Sequence, residues 1–122
     1  MFDNDEASEL SRLDFENFLW IVFIFLAVGN ILGDICDQEY IKTNDQFFQR
    51  NADKIFEFTL MVTFFIYIYF FLRNYAFYKK ASDSKKNDLF IKLLGSIFLI
   101  VGVTCLIYFQ LKDSSFEGTP AI

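Results

Sequence analysis

The chain has no histidine, one proline and only two cysteines among its 122 residues. Each shortage excludes something. Without histidine, the commonest general base and metal ligand is missing. Cys36 and Cys105 stand alone in the sequence, and two isolated thiols do not make a zinc site. No glycine-rich loop follows a strand, so nothing is laid out to cradle a phosphate. The sequence therefore predicts no enzyme, no metal and no cofactor. It also lacks a basic tract or an RNA-binding signature, which argues against nucleic acid as a partner.

A further absence concerns charge. The stretches Phe18 to Gly33, Phe58 to Leu72 and Leu93 to Leu111 contain no Asp, Glu, Lys or Arg and are apolar on every face. A domain this small has too little interior to hide three such helices, whereas lipid is itself an apolar solvent. With interfacial flanks each stretch reaches the ~20 residues that a spanning helix needs. Phe58 to Leu72 alone holds ten Phe, Leu, Ile or Val residues, each favouring insertion by about 0.3 to 0.6 kcal/mol. The predicted fold class is all-α: an integral membrane protein with three transmembrane helices, the second long enough to extend outside the bilayer.

The first stretch does not read as a signal peptide. Its flank carries Asp3, Asp5, Glu6, Glu9, Asp14 and Glu16 against Arg12 alone, where a basic region and a small-residue cleavage site are required. Lys and Arg collect on the cytoplasmic side of short loops. Arg73 to Lys92 carries six of them, including the cluster Lys79, Lys80, Lys85 and Lys86. That end is expected in the cytoplasm, which places the N-terminus inside and the C-terminus outside a cell membrane. Abundant Phe, Ile, Lys and Asn point to an AT-rich, bacterial source.

Along the single membrane domain, residues 1–12 read as a flexible acidic tail and 14–35 as the first span, with Ser11 as a candidate N-cap. No Gly or Pro occurs between Gly33 and Gly95, and these are the main local breakers. The connection 36–54 is therefore predicted to be largely helical. Thr43 and Gln46 fit a capping box, so helix two is expected from about Thr43 to about Lys80, with its membrane part at 55–78. Residues 79–88 form a basic turn capped by Asn87 or Asp88. The third span covers 89–111, and 112–122 is an irregular tail.

Several residues stand out. Gly29 and Gly33 are four apart, and Gly95 and Gly102 seven apart, so each pair lies on one helix face and permits close packing. The contact is either within the monomer or between copies. Asn30, Asp34 and Glu57 are polar groups near one membrane surface; they form either a small outward vestibule or ordinary interfacial anchors. Tyr40, Phe47, Phe48 and Arg50 lie in the extracytoplasmic connection and are types enriched at interfaces. The mid-membrane hydroxyls of Tyr67, Tyr69, Tyr108, Thr59, Thr63 and Thr104 suit hydrogen bonds between helices. The basic cluster attracts anionic headgroups. Besides the lipid bilayer, the expected partner is another membrane protein or a second copy. The leading functional expectation is a non-enzymatic accessory or immunity-type protein. A small oligomeric channel or transporter subunit is the alternative, and a holin-like lesion former ranks behind it.

Overall fold

Three helices in antiparallel succession make up the protein: α1 (Asn4–Thr43), α2 (Gln46–Lys80) and α3 (Asp83–Lys112). This computed structural model describes residues 4–112, with side-chain surroundings from Glu6 onward. All three helices are long and apolar enough to cross a membrane. At 1.5 Å per residue α1 is about 60 Å long and α2 about 52 Å, against a hydrocarbon core of ~30 Å. Both must stand well clear of the lipid.

Burial follows lipid logic. Only eight apolar side chains are buried among the described residues, including Leu19, Leu26, Phe56, Leu60 and Ile66. Phe25, Ile24, Ile91 and Phe98 are each about two-thirds exposed, at 69%, 64%, 66% and 66%. In water each such ring or branched chain forfeits roughly 1.5–3 kcal/mol of burial; in hydrocarbon it forfeits nothing.

α2 is the central helix. α1 packs along one flank and α3 along the other, and no Cα of α1 comes within 8 Å of one in α3. The α1–α2 core gathers Leu19, Leu26 and Ile66, flanked by Val22, Phe23, Val62, Tyr69 and Phe70. The two helices meet in a fixed register. Glu16 pairs with Arg73, Asn30 with Thr59, and Gly33 abuts Phe56. Each pair is symmetric about the Asn44–Asp45 turn, as two straight antiparallel helices of equal rise require.

The element boundaries differ from the sequence expectation at four places. The acidic stretch is helical from Asn4, so Ser11 lies inside α1 and is no cap. Arg12 bridges Glu9 and Glu16 one turn either side, at 3.3 and 3.0 Å, and acids near a helix N-terminus suit its dipole. At the other end α1 runs on through Gly33 to Thr43 and stops because Asn44 takes a left-handed φ of 57°. The Asn44 N–H still reaches the Tyr40 carbonyl at 2.7 Å.

The N-cap of α2 is Asp45, whose carboxylate accepts from the Phe47 N–H at 3.0 Å. The expected cap, Thr43, instead donates back to the Glu39 carbonyl at 2.8 Å, which closes the last turn of α1. The expectation of one continuous helix from this region to Lys80 holds. Finally, the basic turn shrinks to Ala81 and Ser82. α3 starts at Asp83, so Lys85, Lys86, Asn87 and Asp88 belong to its opening turns. Of the expected irregular tail, Lys112 is helical and the rest lies outside the described residues.

Candidate functional site

Two features stand out: a polar chain at the edge of the apolar runs that ties all three helices, and a cleft between α1 and α3. The chain starts at Glu16, only 5% exposed. Its carboxylate accepts from Arg12 Nη1 at 3.0 Å, Tyr69 Oη at 3.1 Å and Arg73 Nη1 at 2.9 Å. Arg73 then donates from Nε and Nη2 to Asn74 Oδ1, at 3.2 and 2.9 Å. The Asn74 amide donates to Ser96 Oγ on α3, and Ser96 donates to the Lys92 carbonyl at 3.2 Å. Asn74 and Ser96 are buried. Every polar group in this chain thus has a partner, as burial demands. The helices meet here for a simple reason: Glu16 precedes the first apolar run, Arg73 and Asn74 follow the second, and antiparallel packing brings those ends level.

The cleft exists because α1 and α3 both lean on α2 and not on each other. Its middle compartment measures about 380 Å³ and is walled by Ala27, Asn30, Thr63, Tyr67, Leu99 and Gly102, among others. A second compartment of about 440 Å³ continues toward the basic end between Trp20, Phe70, Arg73 and Ser96. Phe23, Tyr67 and Leu99 line both. Asn30 Oδ1 accepts from the Thr59 hydroxyl at 2.9 Å. Thr59 and Thr63 also bond backbone carbonyls of α2. Among the described residues, neither the Tyr67 hydroxyl nor the Asn30 amide nitrogen has a hydrogen-bond partner.

Comparison with protein-family models, curated proteins and solved structures finds no match. The cleft and the polar chain carry the functional reading by themselves.

The glycines separate into two kinds. Gly29 and Gly33 face α2. A Cβ on Gly33 would overlap the Phe56 ring, with Cζ at 2.8 Å, and one on Gly29 would meet Thr59 Cγ2 at 3.3 Å. That pair is spent on packing within the monomer. Gly95 and Gly102 have nothing within 4 Å of a notional Cβ, so no described residue uses the space they leave.

The Asn30, Asp34 and Glu57 trio does not assemble as one vestibule. Asn30 turns to Thr59, while Glu57 lines a crevice with Gln110 and Leu111 on the α3 side of α2. Asp34 keeps one buried carboxylate oxygen without a partner. Nearby, Asp37 is 5% exposed. Burial, with the charges of Asp37 and Glu57, raises the Asp53 carboxyl above its ordinary range, and Gln110 offsets this by a hydrogen bond. Asp53 precedes the apolar run of α2 and sits outside the hydrocarbon.

Tyr40, Phe47, Phe48 and Arg50 all lie near the tip of the α1–α2 hairpin, Phe47 and Arg50 exposed. Gln46 Nε2 donates to Tyr40 Oη at 3.4 Å, and the Phe47 and Phe48 rings meet edge-on at 5.5 Å. Lys79 and Lys86 sit over the rings of Tyr75 and Tyr78, each at 5.4 Å. Lys80 and Lys85 are exposed at the opposite, basic end. Cys36 and Cys105 are free thiols, on two helices whose Cα atoms stay more than 8 Å apart.

By sequence Glu16 and Arg73 are flanking charges with no site role, and Asn74 carries no signal of its own. The available signal was the turn. Once it is centred on Asn44–Asp45, Glu16 and Arg73 become level, opposite in charge and at the edge of lipid.

Proposed function

We propose that this is a non-enzymatic accessory protein of a bacterial cytoplasmic membrane, which binds another membrane protein by receiving one of its helices between α1 and α3. The observation that carries the reading is the cleft, with its small residues and its two unpartnered polar groups. An acyl chain fills space but cannot bond the Tyr67 hydroxyl or the Asn30 amide. A helix bearing a Ser, Thr or Asn can. An unsatisfied polar group in hydrocarbon costs several kcal/mol, while an interhelical hydrogen bond returns about 0.6 to 1.7 kcal/mol. Ala27 and Gly102 further allow a backbone to approach closely.

The Lys-rich end supports placing the α2–α3 turn in the cytoplasm. The N-terminus is then inside, and the hairpin tip with Tyr40, Phe47 and Arg50 outside. A reporter active only beyond the cytoplasm, fused after Ile122, should report.

The test of docking is photocrosslinking in native membranes from Phe98 and Leu106, which line the cleft, and from the outward-facing Phe25 and Ile24. The expected adduct forms from cleft positions only, disappears in Gly102→Leu with helicity retained, and maps by mass spectrometry to an apolar segment of a different protein. Adducts to lipid alone, or to a second copy of the chain, would overturn the reading.

A further inference from the structure

At the basic end, cations from all three helices converge on one ring. The Arg12 guanidinium of α1 lies 4.9 Å from the Phe77 centroid, and the Arg73 guanidinium of α2 lies 5.6 Å from it. The Lys92 ammonium of α3 is also 5.6 Å from it. Beside them opens a crevice of about 670 Å³ between the first turns of α1 and the last turns of α2. Its polar wall is Ser8, Glu9, Arg12, Arg73 and Lys80; its apolar wall includes Leu72 and Phe77.

Charge is out of balance there. Arg12 and Arg73 share Glu16, and Arg12 also touches the exposed Glu9. Among the described residues neither Lys80 nor Lys92 has a carboxylate partner. Three cations of the wall, Arg12, Arg73 and Lys80, thus face the carboxylates of Glu9 and Glu16 in a confined space at the edge of the apolar run that ends at Leu72. Leu72 is itself 56% exposed and continues the crevice toward the hydrocarbon.

We infer that this crevice is a binding site for the phosphate headgroup of an anionic phospholipid, with its acyl chains running down past Leu72. Basic pockets between spanning helices at a headgroup layer take such lipids. A free phosphate would use the cations alone; only a lipid also uses the apolar wall and the open path beside Leu72. The inference does not depend on the partner proposed above, since it concerns the other side of α2 and needs no second protein.

Native mass spectrometry of the detergent-purified full chain tests it, with phosphatidylglycerol and phosphatidylcholine of identical chains titrated in turn. Phosphatidylglycerol should stay bound at activation energies that strip phosphatidylcholine. Lys80→Gln should weaken its retention about five-fold, because one surface cation carries roughly that factor in lipid attraction. The Lys80 side chain does not belong to the hydrogen-bonded chain, so far-UV circular dichroism should be unchanged. Lys112→Gln, at the far end of α3, is the control and should leave retention intact. Equal retention of the two lipids, or equal loss in Lys112→Gln, would overturn the site. Glycerol phosphate competing as tightly as the whole lipid would overturn the lipid as its occupant.

Discussion

Glu16 is the single acceptor for Arg12, Tyr69 and Arg73, so its removal leaves two guanidinium groups sharing one edge of the membrane. Breaking a buried ion pair from one side costs about 3–5 kcal/mol. Arg12 keeps 24% of its side chain exposed and Arg73 16%, and both can relax toward headgroups. Glu16→Ala should therefore destabilise by about 3 kcal/mol, the low end of that range, measured by unfolding in mixed micelles; a loss under about 0.5 kcal/mol, the scale of an ordinary surface substitution, would show the pair to be idle. Glycine makes a second contrast at this scale. Phe56 is 1% exposed and cannot swing aside, so Gly33→Ala should cost about 1–3 kcal/mol through overpacking. Gly102→Ala meets open space and should stay within about 0.5 kcal/mol of the parent. The same assay on both variants checks the pair, and equal effects would mean that α1 does not press on α2 at Gly33.

At the scale of elements, the apolar runs were legible because charge-free stretches of that length have few other uses. The long second helix was legible from the absence of Gly and Pro. The ends were not. The capping box at Thr43 and Gln46 announces a helix start within a few residues of the true one, but nothing in Lys42, Thr43, Asn44 and Asp45 announces that a continuous first helix runs up to this point, since all four are polar and permitted on a helix surface. What decides is a single backbone angle: Asn44 at φ 57°, a region that Asn tolerates and β-branched residues do not. Misplacing that turn by a few residues hid the level at which Glu16 meets Arg73, and with it the polar chain. Likewise the N-terminal acidic residues suggest a loose tail by composition, yet the chain is helical from Asn4, and the i,i+3 and i,i+4 pairs of Arg12 with Glu9 and Glu16 support that helix. Asn44→Val should cost about 1–2 kcal/mol, the steric cost of a left-handed conformation with a side chain, whereas Asn44→Gly should be close to neutral. Thermal unfolding in detergent followed by circular dichroism measures both. If the valine variant matched the parent, the turn would not be where α1 ends.

On the scale of the whole molecule, two interfaces share one helix and have no face in common. α1 and α3 are each held only by α2, so packing alone would let either peel away without disturbing the other. The exception is the hydrogen-bonded chain from Glu16 through Arg73 and Asn74 to Ser96, which crosses from α1 to α3. Arg73 and Asn74 are adjacent in sequence and bonded through their side chains, so a shift of one moves the other. Linked polar networks in a low-dielectric setting couple more strongly than isolated pairs, and residues in one network depart from additivity by about 0.5–3 kcal/mol. A double-mutant cycle between Glu16→Gln and Ser96→Ala should therefore return a coupling of at least ~0.5 kcal/mol although the two residues lie on helices whose Cα atoms nowhere come within 8 Å of each other. Repeating the cycle in an Asn74→Leu background should abolish it, because the leucine fills the space and carries no bond across. Strict additivity in the parent would mean that α1 and α3 respond to α2 independently; coupling that survives Asn74→Leu would mean that the backbone of α2, and not its side chains, transmits the effect. The same chain lines the inner compartment of the cleft through Arg73, Asn74 and Ser96, so a helix seated there would press on a link that joins both walls.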